Sequence, residues 1–299
     1  MTDPVPAGEP DNPFDVPEMN VLDDGSIRRA VRRGVVLTGL VAAAWLLLAT
    51  VVLYLGGVVV VAVHTKHFHD LAYYGAQVGR PGYTVNGNSC CLGTLGLSST
   101  QELELHQRGA LGPTGQITGR VWRGFTGRLG SVLPDDSATP IGAALQRERP
   151  TKAGTTAFLG TLPPLISASA IIEFSTPLDE AALDNFRFTD TGSLSSSDPW
   201  ALFLADPYGG QVVSWPEHSV VDFPDWVATL SADDDNELDK LGAPSVAVLR
   251  TAAKTPRIHA VVIEQASVSD LQTLLKNPQV RSVNVAEVGF DPARQSLDN

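Results

Sequence analysis

The chain carries one uncharged apolar run, from Gly34 to Val63. A helix needs about 20 apolar residues to cross the roughly 30 Å hydrocarbon core of a bilayer, so this run predicts a transmembrane helix over 34–63. Basic residues next to a span favour the cytoplasmic side, and four arginines precede this one. They are Arg28, Arg29, Arg32 and Arg33. The sequence therefore predicts a single-pass protein of the cell membrane, with a cytoplasmic N-terminus and an extracytoplasmic body.

Two other interpretations of the run fit less well. The apolar region of a cleaved signal peptide is about 7–15 residues long and lies near the start of the chain. Here an acidic, proline-rich leader comes first, and the run is longer than that. A buried core helix would need long apolar stretches elsewhere to surround it, and the sequence has none. We therefore expect an uncleaved anchor.

The charge of the predicted body limits its partners. Residues 64–299 contain 26 Asp and Glu against 17 Lys and Arg, a net charge of −9. Nucleic acids and anionic lipids attract basic surfaces. We therefore expect the body to bind no nucleic acid and to meet the membrane through its anchor.

Residues 1–33 are predicted to be a disordered cytoplasmic tail. Their proline-rich, acidic composition provides too little apolar surface for independent folding. Four apolar side chains in this tail are candidates for binding a partner, because such segments can fold on a partner's surface. They are Phe14, Val16, Met19 and Leu22. A solvated tail that serves only as a topology signal is the alternative.

The body is predicted to have two parts and a short tail at 292–299. Residues 64–164 are rich in Gly, Thr, Ser and Pro, which indicates a β-rich, loop-rich region. Residues 165–291 alternate strand and helix patterns. The expected strands are 166–175, 200–206, 257–265 and 280–288, and the expected helices are 179–186, 231–249 and 267–278. This order predicts an α+β fold with a ferredoxin-like sandwich in the C-terminal half.

Two segments of this half resemble a known family. AIIEFSTPLDEAALDNF, at 170–186, is similar to its motif in which a strand ends in a hydroxyl–x–Pro-Leu turn before a short acidic helix. The closing segment, 257–290, resembles its strand, Leu-Leu helix and arginine-bearing strand. The family is the sigma-factor-regulator C-terminal domain. The resemblance implies a membrane-anchored, anti-sigma-like protein of Gram-positive bacteria, with this domain outside the cell and a sigma factor or another regulator inside.

Two segments have side chains that metal ions prefer. HTKHFHD contains His64, His67, His69 and Asp70, and imidazole with carboxylate can bind Zn²⁺ or Cu²⁺. The spacing does not put all three imidazoles on one helix face, and polar residues ending the span explain the segment equally. The acidic run 233–239 lacks the EF-hand pattern and is explained as a solvated turn. We expect no metal site.

The basic segment and the two cysteines leave their roles open, and common catalytic motifs are missing. The segment TGRVWRGFTGR, at 118–128, is either a grip for an anionic ligand or an exposed basic hairpin. Cys90 and Cys91 are adjacent, so a vicinal disulfide, an intermolecular disulfide and two reduced thiols all remain open. A nucleophile elbow and a phosphate-binding loop are both missing from the sequence. We expect no enzyme activity and no cofactor.

These observations favour a membrane regulator. The extracytoplasmic domain would sense or bind something at the cell envelope, and the cytoplasmic tail would carry the output to a regulator. The alternative is an envelope-binding or scaffold module without a signalling output.

Overall fold

The computed structural model describes residues 24–92, 98–111, 115–124, 128–163, 165–189, 201–216 and 220–290. Its helices are α1 (Asp24–Gly79), α2 (Pro140–Leu145), α3 (Lys152–Gly160), α4 (Glu180–Thr189), α5 (Asp222–Thr229), α6 (Asp235–Lys240), α7 (Val246–Lys254) and α8 (Val268–Lys276). Its strands are β1 (Tyr83–Leu92), β2 (Ser99–Gln107), β3 (Ile117–Arg123), β4 (Leu129–Val132), β5 (Ile166–Leu178), β6 (Ala201–Phe203), β7 (Ser214–Trp215), β8 (Ile258–Ser267) and β9 (Val280–Phe290). The chain divides into two units, Met1–Val60 and Val61–Asn299.

The first unit contains the N-terminal part of α1. Its segment Val31–Leu53 is long and apolar enough to cross a membrane, and none of it is buried in the protein. The hydroxyls of Thr38 and Thr50 each donate to the carbonyl four residues earlier, at 2.8 Å. These bonds satisfy both threonine hydroxyls within the helix, which suits an apolar surrounding.

Helix α1 is longer at both ends than the predicted span. It begins at Asp24, so residues 24–33 are helical, whereas the sequence assigned them to a disordered tail. It ends at Gly79, because Arg80 precedes Pro81 and a residue before proline disfavours the helical conformation. The chain has no proline between Pro17 and Pro81 to stop it earlier.

The last turns of α1 belong to the core of the second unit. Phe68, Leu71 and Ala76 are at most 1 % exposed. The ring of Tyr74 stacks on Trp215, with ring centroids 5.2 Å apart. Aromatic residues that follow an apolar span are typical of the outer membrane interface. Phe68 is instead buried in the protein core, which removes its ring from solvent and lipid alike.

The first sheet of the second unit is an antiparallel meander in the order β1-β2-β3-β4. Alternate residues of β2 and β3 face the core, including Leu103, Leu105 and Val121, as the twofold period of strands requires. A bulge between Gly87 and Ser89 shifts the β1 register. The region that was predicted to be β-rich and loop-rich thus contains a regular four-stranded sheet. Its strands were not assigned from the sequence, because short strands joined by glycine-rich turns give only weak periodicity.

The second sheet has the order β7-β6-β8-β5-β9, with every neighbouring pair antiparallel. Two β-α-β units, β5-α4-β6 and β8-α8-β9, interleave their strands in this order. The predicted strands and the helices 179–186 and 267–278 are confirmed to within a few residues. The predicted helix 231–249 is instead divided into a 3-10 turn, α6 and α7. Gly242, at φ +74°, and Pro244 end α6 and separate it from α7.

Each face of the second sheet has its own apolar cluster. One face shares a large core with the first sheet, the end of α1, and helices α4 and α8. The other face is covered by Ile141 and Ala144 of α2, packed on Ile171, Phe203 and Val262. The large core runs across the predicted domain boundary between residues 164 and 165. The described parts of both predicted regions therefore pack together in one unit.

Candidate functional site

A cavity of about 350 Å³ opens where four distant segments of the second unit meet. It is lined by the end of α1 and the next turn, the start and end of α2, the loop after β6, and the turn after α6. The lining residues are Gly79, Pro81, Asp136, Gly142, Leu145, Gln146, Gly210, Gln211, Val212, Gly242 and Pro244. Among these described lining residues Asp136 is the ionisable one, so its carboxyl is the charged group in the cavity lining.

Local capping fixes the backbone around Asp136. The Asp135 carboxylate accepts a hydrogen bond from the Ser137 N–H at 3.1 Å and starts the 3-10 turn Asp136–Ala138. The Thr139 hydroxyl accepts from the Gly142 N–H at 2.9 Å, which caps α2. The same hydroxyl donates to the Asp136 carbonyl at 2.7 Å. The caps of the 3-10 turn and of α2 therefore hold Asp136 just before the N-terminus of α2.

Two glycines let the chain approach Asp136 closely. A Cβ on Gly82 would lie 2.7 Å from Asp136 Oδ1 and would also collide with the Thr139 hydroxyl. A Cβ on Gly142 would lie 2.6 Å from Asp136 Oδ2 and would overlap the Asp136 carbonyl. Real Cβ atoms do not come this close to other heavy atoms, so a side chain at either position would force its neighbours to shift.

The Asp136 side chain is half-buried, and hydrogen-bond donors compensate its carboxyl only in part. Its Oδ1 accepts a hydrogen bond from the Gly82 N–H at 2.7 Å. Burial raises the pKa of Asp136 to about 6, against the smaller lowering effects of the Gly82 hydrogen bond and of the charges on Arg80 and Arg108. Its Oδ2 accepts no hydrogen bond from the part of the chain that the structure describes. The carboxyl therefore retains an unused acceptor beside Gly142.

The two arginines whose charges act on Asp136 donate their hydrogen bonds to other acceptors. Arg80 donates from Nε to the Pro134 carbonyl at 3.1 Å and from Nη1 to the Leu241 carbonyl. Arg108, which is 2 % exposed, donates to the Thr84 hydroxyl and the Pro81 carbonyl, both at 3.3 Å. Burial lowers the pKa of Arg108 to about 10. Both guanidinium groups thus tie together turns around the cavity and act on Asp136 only through space.

Glu264 completes this polar region from β8. It accepts a hydrogen bond from the Gly109 N–H at 2.7 Å, and burial raises its pKa. Gly109 follows β2 and has φ +79°, a conformation that glycine adopts without strain. The contact ties the first sheet to the second.

A second buried polar cluster lies on the α2 side of the second sheet. Glu173 of β5 is 3 % exposed and contacts Arg149 Nη2 at 3.0 Å and Arg281 Nη1 at 3.4 Å. Ser282 donates to its other oxygen at 2.8 Å. Arg149 also reaches both oxygens of Asp206 at 2.8 Å. This cluster holds the loop after β6 against the sheet.

The described histidine side chains of HTKHFHD, His67 and His69, have different partners in the structure. His67 Nε2 lies 3.0 Å from Asp234 Oδ1, whereas the His69 ring stacks with Tyr73, with ring centroids 6.3 Å apart. The side chain of His64 falls outside the described residues. Within the described ranges, no group of three or more His, Cys, Asp or Glu is arranged to hold a metal ion.

The acidic run 233–239 is used for capping and pairing. Asp234 accepts from the Ser231 N–H at 2.7 Å, and Asp235 accepts from the Val246 N–H at 2.6 Å at the start of α7. Asp234 is 5 % exposed, so the expectation of a solvated turn is wrong at this residue. Glu237 pairs with Arg123 Nη2 at 2.5 Å, so one arginine of the segment 118–128 has a charged partner.

Other predicted residues are placed only in part or not at all. The strand register sets Cys90 opposite Gln101 and Cys91 opposite Thr100, and their side chains lie outside the described residues. The candidate partner-binding residues of the tail lie outside the described residues as well; they are Phe14, Val16, Met19 and Leu22.

Sequence reasoning missed Asp136, Arg80 and Arg108. A local signal did exist for Asp136, because Asp-Asp-Ser-Ala-Thr-Pro at 135–140 is a typical run of capping residues followed by a helix-starting proline. That signal predicts a helix start and no cavity. Comparison with protein-family models, with characterised proteins and with solved structures gave no significant match to this chain.

Proposed function

We propose that the protein is a single-pass, anti-sigma-like membrane regulator whose extracytoplasmic body senses a ligand at the cell envelope. In this proposal the apolar part of Val31–Leu53 in α1 spans the membrane, the four arginines at its N-terminal end stay on the cytoplasmic side, and the N-terminal tail carries the output. The apolar length of α1 and the arginines at its start support this topology.

The observation that carries the sensing role is the position of the cavity. Gly79, the last residue of α1, lines it, and Arg80 and Pro81 follow directly. A ligand in the cavity would therefore contact the end of the helix that also carries the apolar segment. Binding that favours one position of this helix end would shift the population of its conformations.

We further propose that the second sheet with α4 and α8 is a ferredoxin-like sandwich. Support comes from its strand order: read as β9-β5-β8-β6, it is the order that two interleaved β-α-β units give in that fold. Strand β7 then adds an outer edge, and α5, α6 and α7 are inserted between β6 and β8.

The topology can be tested by cysteine labelling of intact cells. In a background without Cys90 and Cys91, Thr156→Cys on the exposed side of α3 should react with a membrane-impermeant maleimide. Ser26→Cys should react only after lysis. Labelling of Ser26→Cys in intact cells, with protection of Thr156→Cys, would exclude a sensor at the envelope.

Output through the tail needs a separate test. Deleting residues 1–23 keeps the four arginines and should change transcription of an envelope-stress regulon while the protein stays in the membrane. Replacing Phe14 and Leu22 by Ala should reproduce the deletion, whereas Pro4→Ala with Pro6→Ala should behave as wild type. If the tail-less protein responds normally, signalling through the tail is wrong, and the binding or scaffold module takes its place.

A further inference from the structure

We propose that the cavity at the end of α1 binds a small organic cation, with the ammonium group of the ligand donating to Asp136 Oδ2. This inference deepens the sensing function proposed above and rests on it for its biological meaning. The binding itself is independent of membrane topology and of the tail.

The first argument is the unused acceptor. A carboxylate has two oxygens and about four sites for hydrogen-bond donors. Asp136 uses Oδ1 for the Gly82 N–H, while Oδ2, beside the cavity-lining Gly142, accepts no donor from the described residues. A ligand ammonium that donates to this oxygen would form a charge-assisted hydrogen bond, which is stronger than a bond between neutral groups.

The second argument is the local charge. The charged groups that face Asp136 are Arg80 from the turn after α1, Arg108 from the turn after β2, and the neighbouring carboxyl of Asp135. Glu264 of β8 faces Arg108 in turn. With all groups ionised, three carboxylates stand against two guanidinium groups. Both arginines donate to neutral acceptors and keep their charge, so this set of groups carries one excess negative charge when all are ionised. Asp136 is the charged residue among the described lining residues, so a cation that contacts its carboxylate gains a short-range attraction.

The third argument is the lining. Among the described residues that line the cavity, none is basic: the charged residue is Asp136, and the other polar side chains are the amides of Gln146 and Gln211. Both glutamines are exposed at the rim. An amide offers both donors and acceptors, which suits hydroxyl or amide groups on the ligand. A volume of about 350 Å³ lies at the lower end of the range for small-molecule sites.

A matched pair of probes tests the ammonium group directly. 1-Amino-1-deoxysorbitol and sorbitol have the same size and differ in one ammonium for one hydroxyl. Calorimetric titration of the full-length protein in detergent should show the amine binding roughly 10- to 100-fold more tightly at neutral pH, as expected for a hydrogen bond to a charged group. Its affinity should fall as the pH is lowered through about 6, because protonation of Asp136 removes the charge.

Variants locate the binding. Asp136→Asn should abolish the preference for the amine, and Glu102→Gln, in an exposed ion pair of the first sheet and outside the described cavity lining, should keep it. Gln146→Trp, at the exposed rim, should weaken binding of both probes. If Asp136→Asn does not fold, the pH dependence in the wild-type protein and the Gln146→Trp result decide the matter.

Three outcomes would overturn the inference: no binding of the amine, equal binding of the two probes, or a preference that Asp136→Asn or low pH leaves unchanged. These outcomes are distinct from failure of the proposed regulator. If the protein binds the amine but deletion of the tail has no effect, only the proposed signalling through the tail is refuted. If deletion of the tail has an effect but the protein does not bind the amine, only the proposed class of ligand is refuted.

Discussion

Asp136 should make the protein less stable as the pH rises from about 4 to 7. Its pKa is raised from 3.8 to about 6 by burial, so between these values the folded state holds a proton that the unfolded state releases. Stability falls with pH wherever the folded state binds more protons. The contribution of the protonated carboxyl is therefore complete below pH 3.8 and is lost as the pH passes through about 6.

The size of the effect follows from the shift. A shift of one pKa unit corresponds to about 1.4 kcal/mol, so the rise from 3.8 to about 6 corresponds to about 3 kcal/mol between acid and neutral pH. In a body of this length that is roughly 6–12 °C in Tm. Asp136→Asn keeps an acceptor for the Gly82 N–H and does not titrate. It should therefore gain about 3 kcal/mol relative to wild type on going from about pH 4 to pH 7.

The assay is urea unfolding of the full-length protein in detergent, followed by the fluorescence of the buried Trp215 at several pH values. Other carboxyls with shifted pKa values, such as Glu264 and Asp206, cancel in the difference between variant and wild type. Asp135→Asn is the control. Hydrogen bonds from Ser137 lower the pKa of Asp135, so its contribution changes only below about pH 4. Parallel curves for Asp136→Asn and wild type from pH 4 to 7 would refute the reasoning.

The remaining predictions concern packing and ion pairs, and each is read out as a change in urea-unfolding free energy. Glu173→Gln should cost about 2–3 kcal/mol because it breaks a buried pair, while the same change in the half-exposed pair of Glu102 should cost under about 1 kcal/mol; similar losses would contradict the buried role. Gly142→Ala should cost about 1–3 kcal/mol or more by overlap with the Asp136 backbone, whereas Gly160→Ala, with open space around it, should be neutral or stabilising. Val262→Asp, at a fully buried position of β8, should cost several kcal/mol and prevent cooperative unfolding; a normal transition would place this strand outside the core.

Helix α8 illustrates what could be predicted from the sequence. Ser267 stands at the start of the predicted helix 267–278, where a capping residue is typical, and its hydroxyl accepts from the Asp270 N–H at 3.0 Å. The apolar spacing of Leu271, Leu274 and Leu275 matches the buried face of this helix. These signals lie within one or two helical turns, so neighbouring residues suffice to read them.

The length and apolar character of α1 were also determined locally, because they depend on an uninterrupted run without charge or proline. The sequence did not indicate that α1 continues past His64, since its later turns are amphipathic only with respect to a core made by other segments. Phe68 illustrates this, because its aromatic ring suits a membrane interface as well as a protein core. Only the packing of the second unit shows that the Phe68 ring lies in the protein core and not at a membrane interface.

Tertiary structure alone decided the cavity and the charge state of Asp136. The lining comes from residues 79–81, 136–146, 210–212 and 242–244, which no local pattern connects. The pKa of Asp136 depends on burial by these segments and on two arginines that lie far from it in sequence. Solvent exclusion and through-space charge act over distance in the folded protein, so residue type and sequence spacing could not predict this site.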